Sequence, residues 1–188
     1  LPPENFPNFS DNFEKDTINL NRSKFLSLLN KSKISISNDD TRHYLNGIFL
    51  HLTNDQSKSF LTAVATDSHR LSSSSMEIDS EKKFPSLILP RKAVLQLCNL
   101  LQETNEEVLV QASETKIQFK IGKVKLVSKV IDGKFPDYKK VVPANNEKVL
   151  IVHTKDFIDS VERVTTVSID RKEGVKLVVN KDKVKLSV

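Results

Sequence analysis

One short stretch concentrates residue types that chemistry uses. "ATDSHRLS", Ala65 to Ser72, sets Asp67, Ser68, His69 and Arg70 in a row. An enzyme would use His69 as a base oriented by Asp67. The spacing speaks against that: near neighbours on a strand or tight turn point in different directions and cannot readily form a relay. Two other readings remain. Asp67 can satisfy backbone donors in a turn that ends a strand. Alternatively, Thr66, His69, Arg70 and Leu71 line an exposed edge that recognises a partner. Neither reading assigns a catalytic residue.

Other chemistries find less support. His43, His51, His69 and His153 are dispersed, with no ligand spacing, so no metal site is expected. Four glycines are too few and too scattered for a phosphate-binding loop, and no cofactor is implied. The single cysteine, Cys98, rules out an internal disulfide. It lies in an apolar run, which predicts a buried thiol and points to a reducing compartment.

The cations are more informative. Twenty-nine Lys and Arg against 24 Asp and Glu leave a net charge of +5. That surplus permits a polyanionic partner without demanding one. Arg22, Lys24, Lys31 and Lys33 crowd one predicted helix and its exit, and Arg91 and Lys92 open another. If both helices lie on one side of the sheets, these cations converge; otherwise they are solvated faces. Contacts of this kind would be non-specific, since nothing is arranged to read bases. "TRHYLNG" adds Arg42, His43 and Tyr44, either a local aromatic packing or a loop that touches nucleic acid by stacking and charge.

These side chains must be held by regular elements. "INLNRSKFLSLLNKSK" reads as strand, cap and helix, with Phe25, Leu28 and Leu29 on one face and Asn21 or Ser23 as the cap. "YLNGIFLHLTNDQSKSFLTAVATD" reads as a hairpin, with Ile48, Leu50 and Leu52 alternating. "SLILPRKAVLQLCNLLQ" is a short strand followed by a helix entered at Pro90, with Val94, Leu97, Cys98 and Leu101 as its stripe. "EVLVQASETKIQFKIGKVKLVSKVI" holds three strands of an antiparallel meander. No apolar run approaches the roughly 18–20 residues that span a bilayer.

The chain also repeats itself. Phe6-Pro7-Asn8-Phe9 recurs as Phe135-Pro136-Asp137-Tyr138, 129 positions later. Beyond the second tetrad, "LIVHTKDFIDSVERVTTVSI" matches "INLNRSKFLSLLNKSKISIS", with Phe25 on Phe157 and Leu29 on Val161 at an offset of 132. "EGVKLVV" then matches "NGIFLHL". A period this long means duplicated domains rather than a solenoid. The expected fold is α+β: duplicated modules of antiparallel sheets with two helices packed on one face. The tetrad marks the joint, with its aromatics packing where one module meets the next. The expected boundaries are 1–13 for the end of a first module, 14–134 for a complete second, 135–147 for a linker and 148–188 for the start of a third. "LPPENFPNF" lacks an initiator Met and any signal-like core, and reads as a chain entered part-way.

Taken together, "TRHYLNGIF", "VATDSHRLS", "LPRKAVLQL", "SKVIDGKFPDYKKVVP" and "EGVKL" resemble the bacterial DNA polymerase III β subunit, the replication sliding clamp. The resemblance covers nearly the whole chain. It implies the DNA-clamp fold and a cytoplasmic, non-enzymatic processivity factor. It also implies a homodimeric ring of three-domain subunits around duplex DNA, with sheets outside and helices lining the hole. The partners it implies are the polymerase α subunit, the clamp loader and other proteins bearing clamp-binding motifs. Their peptides enter a groove between the second and third domains, formed here by Thr66, Ser68, His69, Arg70, Leu71, Pro136, Lys140 and Val141. Leu71, Pro136 and Val141 would make its apolar floor. The DNA-facing set becomes Arg22, Lys24, Lys31, Arg42, His43, Tyr44, Arg91 and Lys92. Ser68 departs from the usual glycine, so a positive φ there predicts strain and a narrower pocket. Lys140 replaces a common Arg and loses its forked hydrogen bonding. Lys172 stands at a rim position often apolar, and His43 replaces one member of an aromatic pair. A DNA-independent peptide-binding adaptor is the alternative.

Overall fold

The computed structural model describes residues 13, 17–79, 83–168 and 174–188. The first tetrad and Lys172 lie outside the described residues. The chain divides into two compact units between Pro136 and Asp137.

In the first unit, β1 (Thr17–Leu20) leads through Asn21 into α1 (Arg22–Lys33). Asn21 is the cap: its side chain accepts from the Lys24 amide, which would otherwise lack a helical partner. Phe25, Leu28 and Leu29 are buried, as the helical spacing predicts. β2 (Gly47–Asp55) and β3 (Lys58–Thr66) form the expected hairpin, with a tighter turn than the polar run suggests. Asp55 pairs with Lys58, and Gln56 takes the positive φ, 51°, that a two-residue turn demands.

β4 (Leu71–Ile78) follows, then β5 (Leu87–Pro90) and α2 (Arg91–Gln102). The meander is β6 (Val108–Ala112), β7 (Lys116–Ile121) and β8 (Val124–Lys129). The strands make two antiparallel four-stranded sheets, ordered β1-β6-β7-β8 and β4-β3-β2-β5. α1 and α2 pack against each other, and one apolar core joins them to both sheets. Phe25 of α1 meets Phe119 of β7 with ring centroids 6.0 Å apart. Val94, Leu97, Cys98 and Leu101 supply the stripe from α2. Burial pushes the Cys98 thiol up, against the opposing charge of Lys33, so it stays a protonated core group.

β4 is the strand that pattern reading misses. "SSSS" shows no apolar alternation, and Met76 is the strand's sole buried hydrophobic. The reason is close approach of α1. Ser72 pairs across the sheet with Ala65, and its hydroxyl lies 2.6 Å from that of Ser35, just past the helix. Ser32, fully buried, donates to the Ala63 carbonyl. Small hydroxylated residues therefore stand where bulky ones would push the helix away. On the opposite face, Thr62 is hydrogen-bonded to both Thr53 and Ser75, a polar ladder across three strands.

Gly47 is where β2 needs a glycine. A Cβ there would fall 2.3 Å from the Leu89 carbonyl oxygen of the paired strand β5.

The second unit holds α3 (Thr154–Thr165) and the hairpin β9 (Lys176–Val179) with β10 (Val184–Ser187). Both ends of α3 fall 132 residues after those of α1, Arg22 to Thr154 and Lys33 to Thr165. β9 carries the segment that matches β2. The repeated apolar pattern thus corresponds to repeated elements. None of the described residues from 137 onward is buried.

Candidate partner groove and nucleic-acid face

The β3–β4 connection is a short turn saturated with hydrogen bonds. The Asp67 amide donates to the Arg70 carbonyl at 3.4 Å, and the Thr66 hydroxyl donates to the same oxygen at 2.8 Å. The Ser68 amide donates back to the Thr66 hydroxyl at 3.1 Å. Asp67 Oδ1 accepts from the amides of His69 and Arg70, both at 3.0 Å, and Oδ2 accepts from Arg70 Nε at 3.1 Å. Burial pushes the Asp67 carboxyl up. The two amides and the Arg70 guanidinium outweigh it and hold the group below its ordinary value. Asp67 therefore serves the backbone of the turn, with both carboxylate oxygens engaged by the His69 and Arg70 amides and the Arg70 guanidinium.

Thr66 and Leu71 close the turn as the last pair of β3 with β4, both half-buried. Ser68, His69 and Arg70 are exposed. Ser68 has φ 77°, the positive value that a glycine adopts without strain. Thr66, Ser68, His69, Arg70 and Leu71 thus lie together in one hydrogen-bonded turn.

Pro136 ends the first unit beside Phe135, which is buried and stacked on Phe49 of β2 with centroids 4.9 Å apart and rings 6° from parallel. Phe49 stacks in turn on His51, at 4.7 Å. The second tetrad thus anchors its leading aromatic on the outer side of the β2–β3 hairpin. Lys140 and Val141 belong to the second unit. Lys140 pairs with Asp137 across a helical turn at 3.3 Å, and Val141 is 68% exposed.

The cations divide into two kinds. Lys24 and Lys31 on α1, and Arg91 and Lys92 at the start of α2, are exposed. Arg22 is half-buried: Nη1 donates to the Leu101 carbonyl at 3.2 Å and Nη2 to Asn105 at 2.9 Å. It holds the first turn of α1 against the last turn of α2 and satisfies a terminal carbonyl. Arg42 is tied as well. Its Nε and Nη2 reach Asp39 Oδ2, both at 2.9 Å, and Nη1 donates to the Ser68 hydroxyl at 2.6 Å. Asp39 sits below the ordinary carboxylate range because the Thr41 hydroxyl, the Thr41 amide and Arg42 all favour its charged form. His43 and Tyr44 meet edge to face at 5.8 Å, and His43 Nε2 lies 3.2 Å from the Asp132 carbonyl. His43 is exposed and Tyr44 half-buried.

Sequence reasoning missed the link between Arg42 and Ser68, 26 residues apart. The Asp39–Arg42 spacing of three was a local signal for an ion pair, and nothing local pointed to the third partner. Among the described residues, no three His, Cys, Asp or Glu side chains gather as a metal ion would require. No described helix is long and apolar enough to cross a membrane.

Two antiparallel sheets over a pair of basic helices, with the helix and hairpin recurring farther along, define a clamp-type α+β module. The chain belongs to the DNA polymerase III beta subunit family: the family's central-domain pattern matches residues 19–137 and its C-terminal-domain pattern matches residues 139–188. A beta sliding clamp of Caulobacter vibrioides is 36% identical over 189 residues, covering 100% of this chain and 51% of that protein. Another, from Rickettsia bellii, is 30% identical over 191 residues, covering 100% and 49%. Among solved structures, a DnaN sliding clamp from Bartonella birtlesii bound to griselimycin is 42% identical, with a TM-score of 0.91 over 99% of this chain and 50% of that one. A C. crescentus beta sliding clamp, with PEG bound to its putative beta-motif tethering region, gives a TM-score of 0.95 at 36% identity, over 99% and 50%. The chain spans about half the length of the curated relatives it matches.

Proposed function

We propose that this chain is part of a DNA sliding clamp, a non-enzymatic processivity factor that works in the cytoplasm by encircling duplex DNA as a homodimeric ring. The observation that carries this reading is the pair of consecutive family matches, to a central and then a C-terminal domain, across the joint at residue 138. Residues 14–134 act as the second clamp domain, 135–147 as the connection and 148–188 within the third, with 1–13 leading from the first. The groove of Thr66, Ser68, His69, Arg70, Leu71, Pro136, Lys140 and Val141 receives peptide motifs from the polymerase α subunit, the clamp loader and other partners. A ring retains DNA by topology, so its phosphate contacts can stay loose enough to slide. A mild +5 charge suits that task better than a concentrated basic patch.

Lys24, Lys31, Arg91 and Lys92 have free access to solvent and are the groups of the DNA-facing set best placed to meet phosphates. Arg22 and Arg42 have their guanidinium donors engaged by the protein, and His43 and Tyr44 are partly held by each other. The test is the salt dependence of the full-length protein's binding to a short linear duplex. Replacing Lys24, Lys31 and Lys92 together by Ala lowers the slope of log K against log salt by about 0.9 for each phosphate that is no longer neutralised. Replacing Lys125 and Lys129 of β8 leaves it unchanged. Equal slopes for both variants would remove α1 and α2 from the DNA-facing surface.

A further inference from the structure

The Arg42–Ser68 hydrogen bond joins two segments that are well separated in sequence: the helical turn Asp40–Leu45 and the β3–β4 turn. Its chemistry is specific. Asp39 fixes the guanidinium from one side through two nitrogens, leaving Nη1 aimed at Ser68. The Thr66 hydroxyl and the Asp67 carboxylate hold the turn's own backbone, at the Ser68, His69 and Arg70 amides and the Arg70 carbonyl, while the Ser68 side chain is what connects the exposed tip to the neighbouring segment. Ser68 also sits at φ 77°, where a side chain is disfavoured. Glycine would take that conformation freely but would offer Arg42 nothing. A serine therefore exchanges backbone ease for a charge-assisted anchor.

Resting on the sliding-clamp reading, we propose that Ser68 is a positioning residue for the peptide groove: its hydroxyl, gripped by Arg42, fixes the strained tip of the 66–71 turn in the geometry that receives a partner peptide. Asp39, Arg42 and Ser68 act as one chain, and removing any member loosens the tip, which keeps only its bonds within the turn. The preorganised tip costs the bound peptide less ordering, and the effect appears in its residence time.

The experiment uses the full-length polypeptide, amide hydrogen exchange at residues 67–71, and the dissociation rate of a fluorescent pentapeptide ending in Leu-Phe. Ser68→Ala and Arg42→Ala each speed exchange and dissociation by about tenfold, the scale of one hydrogen bond to a charged group. The double variant goes no further than either single one. Ser68→Asn keeps an acceptor, tolerates positive φ and restores both readouts. Exchange within α1 stays at its original rate, which separates positioning from general loosening. Unchanged exchange in Ser68→Ala, or additive effects in the double variant, overturns the tether. Faster exchange with an unaltered dissociation rate overturns the positioning role and leaves the sliding-clamp reading standing. If the unmodified protein binds no such peptide, both the role and the groove on which it rests fall, whatever exchange shows.

Discussion

Replacing Leu71 by Asp weakens binding of the Leu-Phe pentapeptide to the full-length polypeptide by at least about 2 kcal/mol, roughly thirtyfold. Leu71 is the first residue of β4, paired with Thr66 and half-buried before any partner arrives. Its remaining exposed surface is the apolar area that a peptide would cover. An Asp there removes that area and forces a carboxylate toward the incoming apolar side chains. Asp67 lies four residues away and is held in its charged form, so a second carboxylate finds an unfavourable field as well. The fold should tolerate the change, because strand pairing uses the backbone and the site stays partly open. Fluorescence anisotropy measures the affinity, and circular dichroism checks that folding is intact. Equal affinity in both proteins would take the β3–β4 turn out of the groove.

Phe25→Ala destabilises the first unit by about 3–5 kcal/mol. Phe25 is 1% exposed and packs on Phe119, so it ties α1 to the β1-β6-β7-β8 sheet from inside the core. Truncation removes the ring's burial and leaves a cavity that neighbours on both sheets and α2 can only partly fill. That loss is a large fraction of the roughly 5–15 kcal/mol typical of a domain. Urea unfolding followed at this unit measures it. Leu95→Ala on α2, at a residue 43% exposed, is the control and changes stability by no more than about 0.5 kcal/mol. Comparable effects at the two sites would mean that the helices do not share the core described.

Much of this architecture was legible because single elements carry strong periodic signals. The stripes of α1 and α2, the Pro90 entry and the three-strand meander all follow from local pattern, and the cap was narrowed to Asn21 or Ser23, of which the structure uses Asn21. The 132-residue offset was legible too, since duplicated elements keep their apolar spacing after other positions have changed. β4 was not. It packs closely against α1, and a run of serines, with Ser72 bonded to Ser35, replaces the alternation that would have announced a strand. The turn at Asp67 was half legible. An aspartate two and three residues before free amides predicts its backbone role, and the suspicion of positive φ at Ser68 matched the structure. The second ends of long-range bonds were hidden: Arg22 to Leu101 and Arg42 to Ser68 join residues that only the fold brings together. Arg22 looks like a free cation in the sequence and is a bound one in the structure, and Arg42, whose spacing from Asp39 hints at one partner, has a second as well.

The most direct measurement is retention of the full-length polypeptide, incubated with a bacterial clamp loader, on nicked circular DNA at high salt, compared with the same DNA after linearisation. A sliding clamp stays on the circle when salt has removed its phosphate contacts, and runs off once the circle is cut. Salt-resistant retention on the circle, lost on linearisation, is the predicted result. A protein that binds the peptide yet leaves circular and linear DNA alike as salt rises would instead be a DNA-independent adaptor, and the sliding-clamp reading would be wrong.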